Sequence, residues 1–408
     1  MKAGRAMALM LALLPMPVAA ETVAIVNGQI HSLSPRGVIE KGTVLIRDDR
    51  IVAVGDNVAV PADARIVDAK GQPVTPGLFS AYSQLGLVEV ETVASTQDQS
   101  APDAPFAAGF DVRYGINPAS TIIPTARIEG VTRGAIFPMA GKSIFGGIGA
   151  LIQTGDGAAA LFRPGALLLV ELGSAGAQAA GGARGAAWIT LEEALRTAPT
   201  AEGPDGEALR ALLAGKLPMV AHVERASDIE QLIAFAGRHP AIRIVIMGGS
   251  EGWMVADRIA AAKIPVIVDS YANLPLAFET MAATQENAAR LAKAGVTIAI
   301  APLNRFTAGA PHDARLVAQY AGNAVGNGLP WAEALKAVTL NPAIIFGVAD
   351  RLGSIEPGKL ADLVIWQGDP LEIGDGPAAV FVAGRQETLE SRQTQLAKRY
   401  KALSSPRE

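Results

Sequence analysis

The chain contains no cysteine, which excludes disulfide bonds, thiolate metal ligands and cysteine nucleophiles. Aromatic residues make up only 5% of the 408 residues, although half of the chain is hydrophobic. This composition is typical of a large aliphatic α/β core rather than of an aromatic-rich binding surface. We therefore expect the hydrophobic core, and not covalent cross-links, to stabilise the fold.

The chain also lacks a strong excess of either charge. Its 35 Lys and Arg residues nearly balance 39 Asp and Glu residues, which gives a net charge of −4, and no basic patch stands out. This balance argues against nucleic acid as a partner. Beyond the N-terminus no apolar run is long enough for a membrane span, so we expect a soluble protein that binds a small-molecule ligand or substrate. Nothing in the sequence indicates an oligomeric state.

The N-terminus has the pattern of a secretory signal peptide. Lys2 and Arg5 precede a short apolar run over residues 6–14, and small residues lead up to Ala20. This order of charged, apolar and small residues predicts cleavage after Ala20. The sequence therefore predicts a signal peptide at residues 1–20 and a mature protein in the periplasm or outside the cell.

The rest of the chain alternates between strand and helix patterns. Short apolar segments at residues 219–223, 242–247, 264–268 and 296–301 are each followed by a helical pattern, which predicts βα units and a parallel sheet. Segments 134–139 and 167–170 predict two earlier strands. We interpret residues 145–149 as a tight bend, residues 173–187 as a flexible surface loop, and the long insertion 85–118 as either a lid or a disordered loop.

Two motifs resemble the amidohydrolase superfamily. The opening V-T-P-G-L-F-S-A-Y-S-Q-L-G at residues 74–86 resembles the first barrel strand of that superfamily, and G-S-I-E-P-G-K-L-A-D-L-V at residues 353–364 resembles its ending. The segment 220–229 is similar to the imidazolonepropionase-like and exported dipeptidase-like branch. The resemblance implies a (β/α)₈ TIM-like barrel at residues 76–344, a composite β-sandwich from residues 21–75 and 345–390, and a C-terminal tail at 391–408.

The resemblance also implies a divalent metal centre, but most of its ligand positions carry other residues. The superfamily's two strand-one histidines correspond to Tyr82 and Gln84, its strand-six histidine to Gly248 and its strand-eight aspartate to Leu303. The chain has four histidines in all, and only His222 matches a ligand position. We therefore expect the usual binuclear centre to be absent, leave a single metal possible, and treat the cofactor as unknown.

Several polar residues are predicted to meet at the barrel mouth, because strand ends converge there. The candidate catalytic residues are His222, Glu224 and Asp269. Further candidates for ligand binding at the mouth are Tyr82, Gln84, Glu171, Ser250 and Asn273. Three of these residues also have a structural interpretation. His222 could be a strand-end residue held by a carboxylate, Ser250 a helix cap, and Asp269 the anchor of its loop.

Two functional hypotheses follow from these residues. The first is an exported amidohydrolase-like enzyme that hydrolyses a carbon–nitrogen bond in a cyclic amide or small peptide, with a degenerate metal site and His222 as the surviving ligand or base. The alternative is a non-catalytic barrel that binds a small ligand or a partner protein at the former active-site mouth. The fold resemblance alone does not decide between them, because function depends on the site.

Overall fold

The computed structural model describes residues 21–157, 160–303 and 310–404. The predicted signal peptide at residues 1–20 lies outside the described residues. Within those ranges the strands are β1 (Thr22–His31), β2 (Val38–Arg47), β3 (Arg50–Gly55), β4 (Arg65–Asp68), β5 (Pro73–Pro76), β6 (Leu78–Ser83), β7 (Val131–Ile136), β8 (Phe145–Gln153), β9 (Leu161–Glu171), β10 (Met219–Val223), β11 (Ile244–Gly248), β12 (Val266–Val268), β13 (Ile298–Ile300), β14 (Leu363–Trp366), β15 (Pro377–Val382) and β16 (Arg385–Gln386).

The α-helices of the same ranges mostly follow the later strands. They are α1 (Ile122–Arg127), α2 (Ser174–Ala179), α3 (Arg184–Thr197), α4 (Gly203–Leu213), α5 (Ala226–Arg238), α6 (Ala256–Ala261), α7 (Asn287–Lys293), α8 (Val317–Gly326), α9 (Trp331–Ala337), α10 (Leu340–Ile345) and α11 (Arg392–Ser404). Short 3₁₀ helices lie at Ala94–Thr96, Val112–Tyr114, Gly252–Val255, Phe278–Thr280 and Ala310–Leu316. Among the described residues, no helix is long and apolar enough to cross a membrane.

The two ends of the chain combine in one sheet. Its order is β16-β15-β14-β5-β1-β2-β3, with β4 beside β1. The strand β1 pairs in parallel first with β4 and then with β5, and Asn27, between the two paired stretches, has a left-handed backbone with φ 55°. The N-terminal strand β5 pairs antiparallel with the C-terminal strand β14. A composite sheet is therefore present, whereas the expected sandwich of two layers stays a prediction.

The second sheet forms the barrel, in the order β6 to β13. Its first and last strands approach within 8 Å between Cα atoms, so the sheet curls into a nearly closed barrel. One strand departs from the expected all-parallel pattern, because β8 runs antiparallel to both β7 and β9. The interpretation of residues 145–149 as a tight bend was therefore wrong, since they begin β8.

Close packing explains why glycines occur in β8. A Cβ atom added at Gly146 would lie 2.7 Å from the Leu169 side chain, and one added at Gly149 would lie 2.5 Å from the backbone oxygen of Ile136. Glycine within a strand allows neighbouring groups to approach this closely. The same residues that weaken a strand pattern in the sequence thus permit the tight pairing of β7, β8 and β9.

The interpretation of residues 173–187 as a flexible surface loop was also wrong. The helix α2 occupies Ser174–Ala179, and α3 begins at Arg184. The alanines of this stretch are strong helix formers, and Ala177 and Ala187 are buried. The long insertion 85–118 contains two short 3₁₀ helices and buries Leu85, Leu87 and Val112, so it packs on the barrel as part of its core.

A buried ion pair connects the barrel to the composite sheet. The Nε and Nη2 atoms of Arg133 on β7 donate to the two carboxylate oxygens of Asp362 at 2.5 and 3.0 Å. The Asp362 carboxylate also accepts the Ala383 backbone N–H. The guanidinium of Arg133 lies 4.4 Å from the ring centroid of Phe162. The Asp362 of the superfamily-like ending therefore fixes the position of the composite sheet against the barrel.

Candidate active site

Neighbouring parallel strands place several polar residues at one rim of the barrel. Glu171 is the last residue of β9, Glu224 follows β10 directly, and Asp269 follows β12 directly. The strands β9 to β13 are parallel neighbours, so their carboxyl ends lie at the same end of the barrel. The site therefore arises from strand order, since these residues are far apart in sequence.

His222 lies between two carboxylates. Its Nδ1 is 2.7 Å from Glu171 Oε2, and its Nε2 is 3.0 Å from Glu224 Oε1. The ladder between β9 and β10 places His222 directly opposite Glu171. Glu224 comes two residues after His222, so both side chains point to the same face of the extended chain. All three side chains are buried, with at most 12% of each side chain exposed.

Both ring nitrogens of His222 contact carboxylate oxygens. A neutral imidazole can donate from one nitrogen only, whereas an imidazolium can donate from both. The group thus places one imidazole between two acidic side chains in a buried location.

Gly248 provides the space for the Glu224 carboxylate. Its backbone has φ +93°, and a Cβ atom added there would lie 2.4 Å from Glu224 Oε1. The other carboxylate oxygen, Oε2, accepts the backbone N–H and the hydroxyl of Ser250 at 2.9 and 2.7 Å. A residue with a side chain at position 248 is therefore incompatible with the observed position of Glu224.

The surroundings move the pKa of Glu224 below its ordinary value. Burial raises this pKa, but hydrogen bonds from His222 and Ser250 and the charge of His222 outweigh the effect of burial. The carboxylate is therefore held in its ionised form, oriented by three donors.

Asp269 has the opposite environment. Burial raises its pKa, and this effect outweighs the backbone N–H groups of Tyr271, Leu303 and Ala272 that donate to the carboxylate, while the negative charge of Glu224 raises the pKa further. The Asp269 Oδ1 atom accepts from Tyr271 at 2.8 Å, and Oδ2 accepts from Leu303 at 3.2 Å. The site thus combines a carboxylate of lowered pKa with one of raised pKa.

Glu224 and Asp269 line the same cavity, whose volume is about 490 Å³. The loop between β12 and α7 contributes most of its wall, including Asn273, Leu274 and Leu276. The volume falls within the usual range for small-molecule sites, which is roughly 300–1,000 Å³. Of the predicted mouth residues, Ser250 and Asn273 also line this cavity. Glu171 and His222 are not among its described lining residues, and His222 connects Glu171 to Glu224.

Two predicted mouth residues lie elsewhere. Tyr82 is buried in the barrel interior, where its ring centroid is 5.0 Å from that of Phe137. Gln84 is also buried, and its backbone oxygen accepts the N–H of Leu87 and of Val88. Neither is among the described residues that line the cavity.

Sequence reasoning missed an ionic network that fixes the cavity loop. The buried carboxylate of Glu279 accepts the backbone N–H and the hydroxyl of Ser174 at 2.8 and 2.7 Å, and it accepts an N–H of Arg184 at 2.8 Å. Arg184 also reaches Asp228, which forms a two-point contact with Arg225. No sequence pattern marks Glu279, although Arg225 and Asp228 stand three residues apart at the start of a helix.

The described residues hold no group of three or more His, Cys, Asp or Glu side chains arranged to bind a metal ion. His222 meets two carboxylates, but both of its ring nitrogens face them directly. At the neighbouring strand ends, Gly248 has no side chain and Leu303 has an apolar one.

Comparison with known proteins gives matches over different parts of the chain. Residues 216–391 match the model of the Amidohydrolase family. The amidohydrolase tasK of Hapsidospora irregularis is 24% identical over 396 residues, which cover 85% of this chain and 39% of that protein. The urease subunit alpha of Staphylococcus aureus strain JH9 is 52% identical over 46 residues, which cover 11% of this chain and 8% of that protein. The chain thus spans at most about two fifths of the length of these curated relatives.

A solved structure is similar over nearly the whole chain. The crystal structure of an amidohydrolase from Thermotoga maritima MSB8 superposes with a TM-score of 0.81 at 26% sequence identity, covering 89% of this chain and 99% of that one. This similarity supports a barrel of TIM type.

Proposed function

We propose that this chain, which carries an amidohydrolase-family domain at residues 216–391, hydrolyses a carbon–nitrogen bond of a small amide. The substrate would bind in the cavity lined by Glu224 and Asp269. Cyclic amides and dipeptides are the first classes to test. The observation that carries the proposal is that two carboxylates of opposite pKa shift line this one cavity.

Opposite pKa shifts suit opposite roles in acid–base catalysis. Glu224, held ionised, would accept a proton from the attacking water. Asp269, whose pKa burial raises, would donate a proton to the leaving nitrogen. The water oxygen would form a bond to the carbonyl carbon and the carbon–nitrogen bond would break, giving a carboxylic acid and an amine.

His222 would act as a positioning residue in this reaction. Its two ring nitrogens link Glu171 to Glu224, and the Ser250 donors hold the other oxygen of Glu224. These contacts fix the carboxylate of Glu224 at the cavity wall. A preorganised group of this kind needs little rearrangement during reaction.

The proposed reaction proceeds without the superfamily's binuclear metal centre, because the available donors do not fit one. Both nitrogens of His222 are engaged by carboxylates, and the Glu224 carboxylate occupies the space where a side chain at position 248 would lie. Leu303 offers an apolar side chain and only its backbone N–H to the site. A binuclear centre requires several histidine and carboxylate ligands that these positions do not provide.

The test is hydrolysis of a panel of cyclic amides, hydantoins and dipeptides by the full chain, followed by mass spectrometry of the products. We expect turnover by the wild type with and without chelator, and a loss of about 100-fold or more in Glu224→Gln and in Asp269→Asn. Unchanged rates in both variants would contradict the assigned roles.

The same panel of compounds distinguishes the hydrolase from the non-catalytic alternative. A compound that raises the melting temperature and is not hydrolysed at any pH would support a binding protein instead. Hydrolysis that both variants abolish would exclude it.

We further propose that the protein is exported. The support is the charged, apolar and small-residue order of residues 1–20. In a bacterial expression host, mass spectrometry of the purified protein should find a mature N-terminus at Glu21. A chain that retains residues 1–20 in the cytoplasmic fraction would contradict export.

A further inference from the structure

The cavity has a charge pattern that selects among small molecules. Among its described lining residues the acidic side chains are Glu224 and Asp269, and none is Lys or Arg. The His222 ring contacts Glu224 on one side and Glu171 on the other, so acidic side chains outnumber the histidine in this group. A ligand with a positive charge therefore gains from this field, and a ligand with a carboxylate does not.

Two arginines of the network that fixes the cavity loop are paired with carboxylates. Arg184 and Arg225 both contact Asp228, and Arg184 also contacts Glu279. Two positive charges thus meet two negative charges in this network. Its net contribution to the cavity is close to neutral.

One wall of the cavity is apolar and exposed. Leu274 and Leu276 line the cavity, yet 71% and 73% of their surfaces are exposed to solvent. Burying such side chains against an apolar group stabilises a complex by roughly 25 cal/mol per Å² of apolar surface removed from water. The wall therefore suits a ligand with an apolar part.

The loop that carries these leucines is held at both ends. At its start, the Asp269 carboxylate accepts the backbone N–H groups of Tyr271 and Ala272. Further along, Glu279 is anchored by Ser174 and Arg184. A wall fixed in this way can discriminate between ligands, because it need not be ordered when the ligand binds.

We infer that the cavity recognises a cationic amine attached to an apolar group, with the amine facing Glu224 and Asp269 and the apolar group against Leu274 and Leu276. The inference rests on the proposed function in taking this cavity as the substrate site. It narrows the substrate class to amides that carry such an aminoalkyl group.

The test uses three ring compounds of nearly equal size that differ in charge. Calorimetric titration of the full chain with benzylamine, benzyl alcohol and benzoate near neutral pH should give the tightest binding for benzylamine and the weakest for benzoate. We expect a difference of about tenfold or more between the cation and the anion. Equal or tighter binding of benzoate, or no binding of benzylamine, would overturn the inference.

Variants test the recognition of the amine and the recognition of the apolar group separately. Glu224→Gln removes the ionised carboxylate of the cavity and should weaken benzylamine binding severalfold while leaving benzyl alcohol binding unchanged. The double change Leu274→Ser and Leu276→Ser should weaken both compounds about fivefold or more. Phe278→Ser is the matched control, because Phe278 lies on the same loop, is 92% exposed and is not among the residues that line the cavity. An equal loss in Phe278→Ser would overturn the apolar half of the inference.

Failure of the inference and failure of the proposed function give different results. If benzylamine binds as expected but no amide is hydrolysed, the recognition holds and the hydrolase proposal fails. If amides are hydrolysed but anionic ligands bind more tightly than cationic ones, the hydrolase proposal holds and the recognition fails.

Discussion

Two buried ionic groups in this protein differ in how many acidic side chains face each basic one. In one, the Arg133 guanidinium meets the Asp362 carboxylate through two hydrogen bonds of 2.5 and 3.0 Å. In the other, His222 meets two carboxylates, those of Glu171 and Glu224, at 2.7 and 3.0 Å. The first pairs one arginine with one carboxylate, whereas the second places one histidine between two carboxylates.

We interpret the first group as stabilising the fold and the second as part of the proposed active site. Arg133 and Asp362 tie two sheets together, and 2% and 6% of their side chains are exposed. Glu224 faces a cavity and shares it with Asp269, whose pKa is raised by burial. Two acidic side chains that share one histidine beside a cavity are therefore our candidates for a functional role.

The largest expected effect is a loss of stability when the Arg133–Asp362 pair is broken. Asp362→Ala leaves the buried Arg133 guanidinium without its partner, so the free energy of unfolding should fall by about 3–5 kcal/mol. Urea unfolding measures this loss. Asp103→Ala is the control, because the Asp103–Lys142 pair is largely exposed and its loss should not measurably change stability. Equal losses in the two variants would contradict a structural role for Asp362.

The next effect is on turnover rather than on stability. Glu224→Gln keeps the volume of the side chain but removes its charge, so hydrolysis should fall by about 100-fold or more. The exposed Glu193 gives a control, since Glu193→Gln changes a surface charge on α3 and should leave turnover unchanged. A Glu224→Gln variant as active as the control would show that Glu224 is not catalytic.

A smaller change in stability, together with a change in turnover, is expected when Gly248 is replaced. Both Gly248 and Gly295 have left-handed backbones, with φ +93° and +87°, but only at Gly248 would a Cβ atom meet a neighbour, Glu224. Alanine at either position should cost about 1–2 kcal/mol of unfolding free energy from backbone strain. Only Gly248→Ala should also reduce turnover, because it displaces the Glu224 carboxylate. Reduced turnover in both variants would contradict this assignment.

The smallest effect is a change of stability with pH. Because burial raises the pKa of Asp269, this group contributes stability below its unfolded pKa of about 4, which is lost as pH rises through the folded pKa. Asp269→Asn cannot ionise, so its melting temperature should rise relative to that of the wild type as pH increases from about 4 to about 7.

Glu224 should show the opposite sign. Its pKa is lowered, so the stability it contributes is present above its unfolded pKa and is lost as pH falls through the folded pKa. The stability deficit of Glu224→Gln should therefore narrow at acidic pH. Melting curves of the two variants with the same pH dependence would contradict the opposite pKa shifts.

The sequence predicted the part of the site that depends on strand ends. The spacing of His222 and Glu224 and the position of Asp269 after an apolar strand are local features, and the parallel order of β9 to β12 then brings them to one rim. The resemblance in the opening and ending motifs likewise indicated a barrel joined to a sheet built from both chain ends.

Features that depend on tertiary packing were not predictable. The glycines of β8 resemble a bend in sequence, yet they allow the close approach of Leu169 to Gly146. The anchoring of the cavity loop depends on Glu279 meeting Ser174, two residues that are 105 positions apart. Tyr82 is a reasonable mouth residue by strand position, but its ring packs against Phe137 in the barrel interior.

Metal analysis of the wild-type protein, purified without chelator and assayed in the same preparation, tests the central claim most directly. The claim is that Glu224, positioned by His222 and Glu171, acts with Asp269 to hydrolyse the substrate through acid–base chemistry alone. It predicts full turnover with far less than one zinc, iron or manganese ion per chain. One or two such ions per chain, lost together with activity in His222→Ala, would contradict it.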